Sequence, residues 1–416
     1  MRMMVALIVL MALAPALIAA PAKAQQPLSH IVEPGDTWSA LSMRFGIEES
    51  RLKVLNPHFN ASRQPAIGAT ISLPEDASDR PGRLIRDGRP SIIAVALENN
   101  MPLWSLARDN GLESPYHPTF FRPLIVPAEG TIRDLPPGVT TLEVSSSPAL
   151  PGIALGIRGT SQQYTPDLSG HLDGLPLAFA AENNRFVGVV GTGAFFAGGE
   201  PELMIKSGDA PAWVQPWQFA EREWIYQELT LTGEAAQIDQ KARDEERARL
   251  REIWGQITPE PLWQDQFVTP VATYLEVSAG YGARRSYNGG PYLTYHEGVD
   301  YSAYGGTPVT APAAGQVILA EPLYVRGGTV IIDHGLGIFT GYYHLSAIHA
   351  IAGQTVQPGD VLGEVGTTGL STGNHLHWDL LINGIWVDAA VWQEQQMDCW
   401  ILEGLGRPCG TETPPG

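Results

Sequence analysis

The stretch GNHLHWDLLING, residues 373–384, places two of the chain's ten histidines one residue apart. Trp378, Leu380 and Ile382 continue an apolar alternation up to Asn383–Gly384, a turn pair, so the segment reads as a strand. Side chains at i and i+2 on a strand share a face, and His375 and His377 therefore point the same way. Two neighbouring imidazoles gain little in an apolar core. A metal, a proton-transfer partner or solvent must occupy them.

Working outward, YHEGVDYSA holds His296 and Asp300 with Gly298 between them, a residue that frees the backbone to bring both side chains to one point. GYYHLS then ends an apolar segment at His344. These four histidines and one aspartate all fall within residues 296–377. Imidazole and carboxylate are ligands zinc prefers, and a catalytic zinc keeps three protein ligands and one water. Three of the five residues can ligate, leaving two imidazoles for proton traffic, and spacing alone leaves open which are which. The pattern is that of a hydrolytic zinc site. His334 reads as structural and His349 as an ordinary surface or core histidine. Asp333 and Glu297 read as exposed turn positions without a role.

Composition frames this site. At 416 residues the chain is long enough for two to four domains. Arg2, an apolar run from Met3 to Ala20 and the small-x-small triplet Ala22-Lys23-Ala24 read as a signal peptide over residues 1–24. The alternative is an uncleaved anchor, disfavoured by Pro15 and Pro21; no later segment could span a membrane. Losing Arg2 and Lys23 takes the net charge from −18 to −20, that is, −18 less two cations. So acidic a chain argues against nucleic acid, which demands Lys/Arg footprints. The two cysteines, Cys399 and Cys409, sit in a tail over 394–416, and in an exported chain they read as a short disulfide.

Residues 30–74 read as strand (His30–Val32), turn, helix with Trp38, Leu41 and Phe45 at helical spacing, a second helix (Glu48–Leu55) and a closing strand (Thr70–Leu73), with Asp36 or Thr37 as the first cap. A fainter echo over 88–130 repeats Trp104-Ser105 against Trp38-Ser39. From 138 to 231, short alternating segments broken by Gly, Pro, Asp and Asn suit a β-sandwich-like spacer, with His171 in a loop. Residues 232–262 carry a polar helix with the pairs Asp239–Arg243 and Glu245–Arg249, read as a solvated connector. Proline-punctuated sequence then enters the last domain at 263–393.

Two resemblances follow from these motifs. EPGDTWSALSMRFG and the closing G-x-x-I-x-L-P make residues 29–75 similar to a LysM module, a βααβ fold that binds N-acetylglucosamine-containing glycans. The resemblance implies a glycan groove around Gly35–Thr37 and Asn56–Asn60, and a degenerate second LysM at 88–130. GYGARR, HEGVDYSA, GTPVTAPAAGQV and the stretch from Gly353 to Asp388 resemble the lysostaphin/LytM-type zinc metallopeptidases, which cut peptide cross-links in bacterial cell walls. That likeness implies His296, Asp300 and His377 as Zn2+ ligands and His344 and His375 as catalytic residues. Two departures stand out: ILAEPLYVRGGTVII replaces the family's glycine-rich approach to the next strand, and Asn374 replaces a proline before the paired histidines.

The expectation is a mainly β multidomain chain: βααβ LysM modules, a β-sandwich-like spacer and a C-terminal antiparallel β-sheet peptidase domain. It would be a secreted, extracellular or periplasmic zinc endopeptidase of bacterial peptidoglycan, anchored to glycan, with no nucleic-acid partner and no membrane partner after signal removal. The rival reading is a catalytically silent wall-binding scaffold or amidase activator, whose known relatives have lost zinc ligands. A purely structural zinc is a second rival, but such sites are closed by four protein ligands.

Overall fold

The computed structural model describes residues 28–85, 91–116, 123–230 and 240–410; the expected signal peptide at 1–24 lies outside the described residues. Among the described residues no helix is long and apolar enough to cross a membrane.

The first unit runs strand Leu28–Ile31, helix Trp38–Phe45, helix Glu49–Leu55, strand Thr70–Leu73, with the strands antiparallel and Ile31 opposite Thr70. Trp38, Leu41 and Phe45 from one helix face meet Leu52, Ile71 and Leu73 in a small core. Thr37 is the cap, its side chain accepting from Ala40 N. Asp36 instead accepts from His30 Nε2 at 2.6 Å and Glu33 N at 2.9 Å.

One expectation fails here. The turn Gly35–Thr37 is not one wall of an open groove, because all three residues are buried. Gly35 N donates to Gln215 Oε1 at 2.9 Å, Gln215 Nε2 donates to Asp36 O at 3.3 Å, and Thr37 Oγ1 donates to Asp134 Oδ2 at 3.3 Å. Asn56 is also buried, tying Leu52 O to Ser72, whereas Pro57, His58 and Asn60 are exposed.

Strand Pro81–Ile85, helices Ile92–Glu98 and Leu103–Asp109 and strand Leu124–Thr131 repeat the same order. The echo of Trp38 in Trp104 does not extend to packing, since Trp104 is 62% exposed against 2% for Trp38. Leu106 and Ala107 take the inward face instead.

Two four-stranded sheets follow. One orders Val139–Val144, Ala154–Ser161, Arg185–Gly191 and Ala178–Glu182; the other orders Trp213–Pro216, Glu202–Ser207, Leu168–Leu172 and Leu175–Pro176. Leu155, Phe186, Leu203, Ile205 and Trp217 fill the space between. His171 lies on the Leu168–Leu172 strand, not in a loop. Strand Tyr226–Leu229, expected in this sandwich, pairs in parallel with Arg284–Tyr287 of the C-terminal region.

The C-terminal sheet has eight strands. Its main path is antiparallel throughout, in the order Glu276–Ala279, Val299–Ser302, His375–Ile382, Ile338–Leu345, Gly327–Asp333, Gly315–Leu323, Thr355–Val356. One buried cluster of Val299, Tyr301, Ile332, Tyr342, Leu376 and Trp378 backs it. The tail belongs to that core: helices Ala389–Glu394 and Met397–Gly404 contribute Trp392, Met397, Ile401 and Leu402, and Cys399 is disulfide-bonded to Cys409.

Helix Gln240–Trp254 is not a solvated connector. Leu250 and Trp254 are buried with Leu319, Ile331, Phe339 and Leu381, and the Trp254 ring meets Trp386 edge-on at 5.2 Å. Leu250, Ile253 and Trp254 carry the apolar part of this docking, too short a stripe to show a period. Arg249 pairs with Glu321 at 2.5 Å, not with Glu245, and Asp239 lies outside the described residues.

Trp254→Ala should remove about 3–5 kcal/mol of docking energy. Hydrogen exchange should then show protection lost across residues 240–254 and kept in the 375–382 strand. Loss in both together would make the helix part of one cooperative unit.

Candidate metal centre and histidine cleft

Antiparallel pairing of Val299–Ser302 with His375–Ile382 sets Asp300 directly opposite His377. His296 joins them from the preceding loop, its N–H on Ala283 O and its own carbonyl accepting from Gly282 N, both at 2.8 Å. Gly298 matters for space rather than for backbone freedom: a Cβ there would stand 2.2 Å from Trp378 O and 2.9 Å from His377 Nε2.

Three donor atoms converge. His296 Nε2 lies 2.9 Å from Asp300 Oδ1 and 3.0 Å from His377 Nδ1, which in turn lies 2.8 Å from the same carboxylate oxygen. His296 Nδ1 faces Gly280 O at 2.8 Å. A carbonyl only accepts, so Nδ1 carries the proton and Nε2 turns its lone pair inward. Burial opposes ionisation of Asp300, but His296 and His377 outweigh it and hold the carboxyl well below its usual range. Two imidazole nitrogens and one carboxylate oxygen, all within 4.8 Å of one another, make a donor set suited to a divalent cation.

The other two histidines flank this triangle. His375 Nε2 stands 3.8 Å from Asp300 Oδ1, and its Nδ1 donates to Gly373 O at 2.8 Å. His344 Nδ1 donates to Thr368 O at 2.7 Å, and its ring centre lies 4.8 Å from that of His375 and 6.2 Å from that of His377. In both rings Nε2 is thus the nitrogen turned towards the triangle. Burial, then His375 and His377, push the His344 imidazole down to about 3, so it is neutral across the physiological range. All five sequence-identified residues thus meet in one place.

The cleft of about 170 Å³ above them is lined by His296, His344 and His377 and also by Arg243, Arg247, Arg285 and Arg326. These arginines escaped the sequence reading. Arg285 Nη2 lies 3.6 Å from Asp300 Oδ2, and the doubled arginine of GYGARR was the available signal. Glu297 is no idle turn residue, since it accepts from Arg247 at 2.6 Å and Arg326 at 3.2 Å. Asp333 is buried rather than exposed, and it accepts from Gly335 N and Thr258 Oγ1. A larger cavity of about 950 Å³, between the 81–131 unit and the sandwich, shares no residue with this cleft.

With that geometry in hand, comparison with known proteins is direct. Residues 294–389 match Peptidase family M23. These residues form an M23 domain. Residues 30–74 match the LysM domain. Over 114 residues the chain is 41% identical to the DD-carboxypeptidase/endopeptidase Mpg of Neisseria meningitidis serogroup B, covering 27% of this chain and 25% of that protein. Over 120 residues it is 35% identical to the peptidoglycan DD-endopeptidase ShyA of Vibrio cholerae serotype O1, covering 29% and 28%. The solved catalytic domain of the antimicrobial peptidase lysostaphin from Staphylococcus simulans is 29% identical, with 29% of this chain and 92% of that one covered and a TM-score of 0.26. The chain spans about a quarter of the length of the curated relatives it matches. A metallopeptidase family implies a metal, and the His-His-Asp cluster lies inside the M23 domain.

His334 is structural: fully buried, it faces Ala314 O through Nδ1 and Thr340 Oγ1 through Nε2. Burial lowers its pKa from 6.5 to about 4. The unfolded chain therefore binds a proton there between about pH 6.5 and 4 that the folded chain refuses, and stability must fall as pH drops through that window. The loss should reach about 3 kcal/mol. Denaturant titrations of the parent and His334→Gln between pH 7 and 4 should show the variant's pH dependence flattened by that amount. Parallel curves would refute it.

Proposed function

We propose that the chain is a zinc-dependent endopeptidase that hydrolyses peptide cross-links of bacterial peptidoglycan. The observation that carries this reading is the convergence of His296 Nε2, Asp300 Oδ1 and His377 Nδ1 beside two further imidazoles with free Nε2 atoms. The activities named for the Neisseria and Vibrio relatives support a D,D-cross-link as the bond. The scaffold reading is disfavoured because all five positions are kept.

In this reading His296, Asp300 and His377 hold the metal, leaving a position open beside His344 and His375. Zinc bound there would polarise a scissile carbonyl and lower the pKa of a water molecule. His375 or His344 takes the proton of the attacking water through Nε2 as general base. The protonated ring then donates to the developing oxyanion or to the leaving amine. Arg285, beside Asp300 Oδ2, keeps that second oxygen turned away from the triangle.

The LysM module supports glycan as the second contact. With Gly35–Thr37 buried against Gln215 and Asp134, we infer that the exposed 57–60 loop makes first contact in this arrangement. The Cys399–Cys409 disulfide supports an oxidising compartment outside the cytoplasm.

Purified sacculi incubated with the zinc-loaded chain and then digested with a muramidase should yield uncross-linked muropeptides at the expense of cross-linked ones, identified by mass spectrometry. His296→Ala, Asp300→Ala and His377→Ala should each lose zinc and turnover together. His344→Ala and His375→Ala should keep zinc near full occupancy while turnover falls by about 10² to 10⁴. Zinc loss in His375→Ala as complete as in His377→Ala would refute the division of roles, and intact sacculi with the parent would refute the activity.

A further inference from the structure

Helix Gln240–Trp254 lies outside the M23 domain, yet one of its side chains grips the backbone that seats a cleft histidine. Glu246 is only 8% exposed. Its carboxylate accepts from Val325 N at 2.7 Å and from Arg326 Nη1 at 3.1 Å. The Arg326 guanidinium lies over the Tyr343 ring, with Nη2 donating to Glu297 Oε2 at 3.2 Å. Burial disfavours its charge, but Tyr343, Glu297, Asp379 and Glu246 outweigh that and raise its pKa. The Arg326 carbonyl in turn accepts from His344 N at 3.0 Å.

His344 depends on such a seat. Its φ is +63°, the left-handed region, which a histidine keeps only where its surroundings over-determine it. Its backbone N–H is tied to Arg326 and its ring to Thr368 O. Thr368 belongs to the same clamp, because its hydroxyl accepts from Gly328 N and donates to Leu345 O, both at 2.8 Å. Leu370 N donates to Val325 O at 2.7 Å. A Cβ on Gly327 would stand 2.3 Å from Thr368 Oγ1, so this contact leaves no slack. Residues 325–328 thus touch both ties of His344, and Glu246 anchors them. This segment is also where the sequence departs from the family's glycine-rich pattern.

We propose that Glu246 is a positioning residue for His344, which makes helix Gln240–Trp254 part of the catalytic unit. The carboxylate fixes residues 325 and 326, and through them the aim of His344 Nε2 into the cleft. The proposal rests on the endopeptidase reading for its rate effect and on the fold alone for its effect on the His344 ring.

The test uses the full zinc-loaded chain with Glu246→Gln, Glu246→Asp and Arg249→Ala. Arg249 docks the same helix through Glu321 without touching residues 325–326. On a soluble cross-linked muropeptide, Glu246→Gln should lower kcat by about 10- to 100-fold. KM and zinc content should stay within about twofold of the parent, since the metal donors are unchanged and Arg326 keeps Glu297 and Tyr343 as partners. In histidine-labelled protein the His344 ring resonances should move while those of His334 stay. Glu246→Asp should recover part of the loss, and Arg249→Ala should match the parent. Unchanged kcat and unchanged His344 resonances in Glu246→Gln would overturn the proposal. A rise in kcat would overturn it too, making the helix a cover, as would equal losses in Glu246→Gln and Arg249→Ala. A parent that leaves the muropeptide intact would sink the endopeptidase reading alone, and the His344 resonances would still decide the positioning role.

Discussion

One strand register holds the site together. Asp300 faces His377 only because Val299 pairs with Trp378 and Tyr301 with Leu376. All four of those flanking residues are buried, so the alternation that drives Val299, Tyr301, Leu376 and Trp378 into the core turns Asp300, His375 and His377 to the other face. A slip of one residue would exchange the two sets and bury charge on the apolar side, at a cost of several kcal/mol. Core formation and assembly of the donor triangle are therefore one event. His296 is added from the loop by its hydrogen bonds to Gly280 and Ala283, and the small Gly298 lets that loop close over the strand.

Electrostatics follows from that enclosure. Asp300 and His296 are buried, and an isolated carboxylate so placed would protonate. The charge and hydrogen bonds of the converging imidazoles reverse that tendency, so the carboxylate stays ionised. His344 is treated in the opposite way: burial and neighbouring rings keep it neutral, with Nδ1 committed to Thr368. The same pocket thus holds one group ionised and another uncharged.

Much of this was legible in the sequence, and the reasons are local. The paired histidines lie on a strand whose alternation is clear from His375 to Leu380, and the first helix of the 28–73 unit carries Trp38, Leu41 and Phe45 at helical spacing. What escaped was set by long-range contacts. Strand Ala178–Glu182 has no clear alternation and exists because Arg185–Gly191 pairs with it. Helix Gln240–Trp254 has too few apolar residues to advertise its docking. Glu246, Arg247 and Arg326 read as solvated charges in isolation, because only the fold brings the two arginines to Glu297 and Glu246 to Arg326. The burial of Gly35–Thr37 was hidden in the same way, since Gln215 and Asp134 are far off in the chain.

The central claim is that two imidazoles and one carboxylate, and not the other two histidines, hold the metal. X-ray absorption at the zinc edge of the full zinc-loaded chain measures that shell directly. The account predicts two imidazole nitrogens at about 2.0–2.1 Å with the remaining positions taken by oxygen. A shell of three or four imidazoles, drawing in His344 or His375, would contradict it.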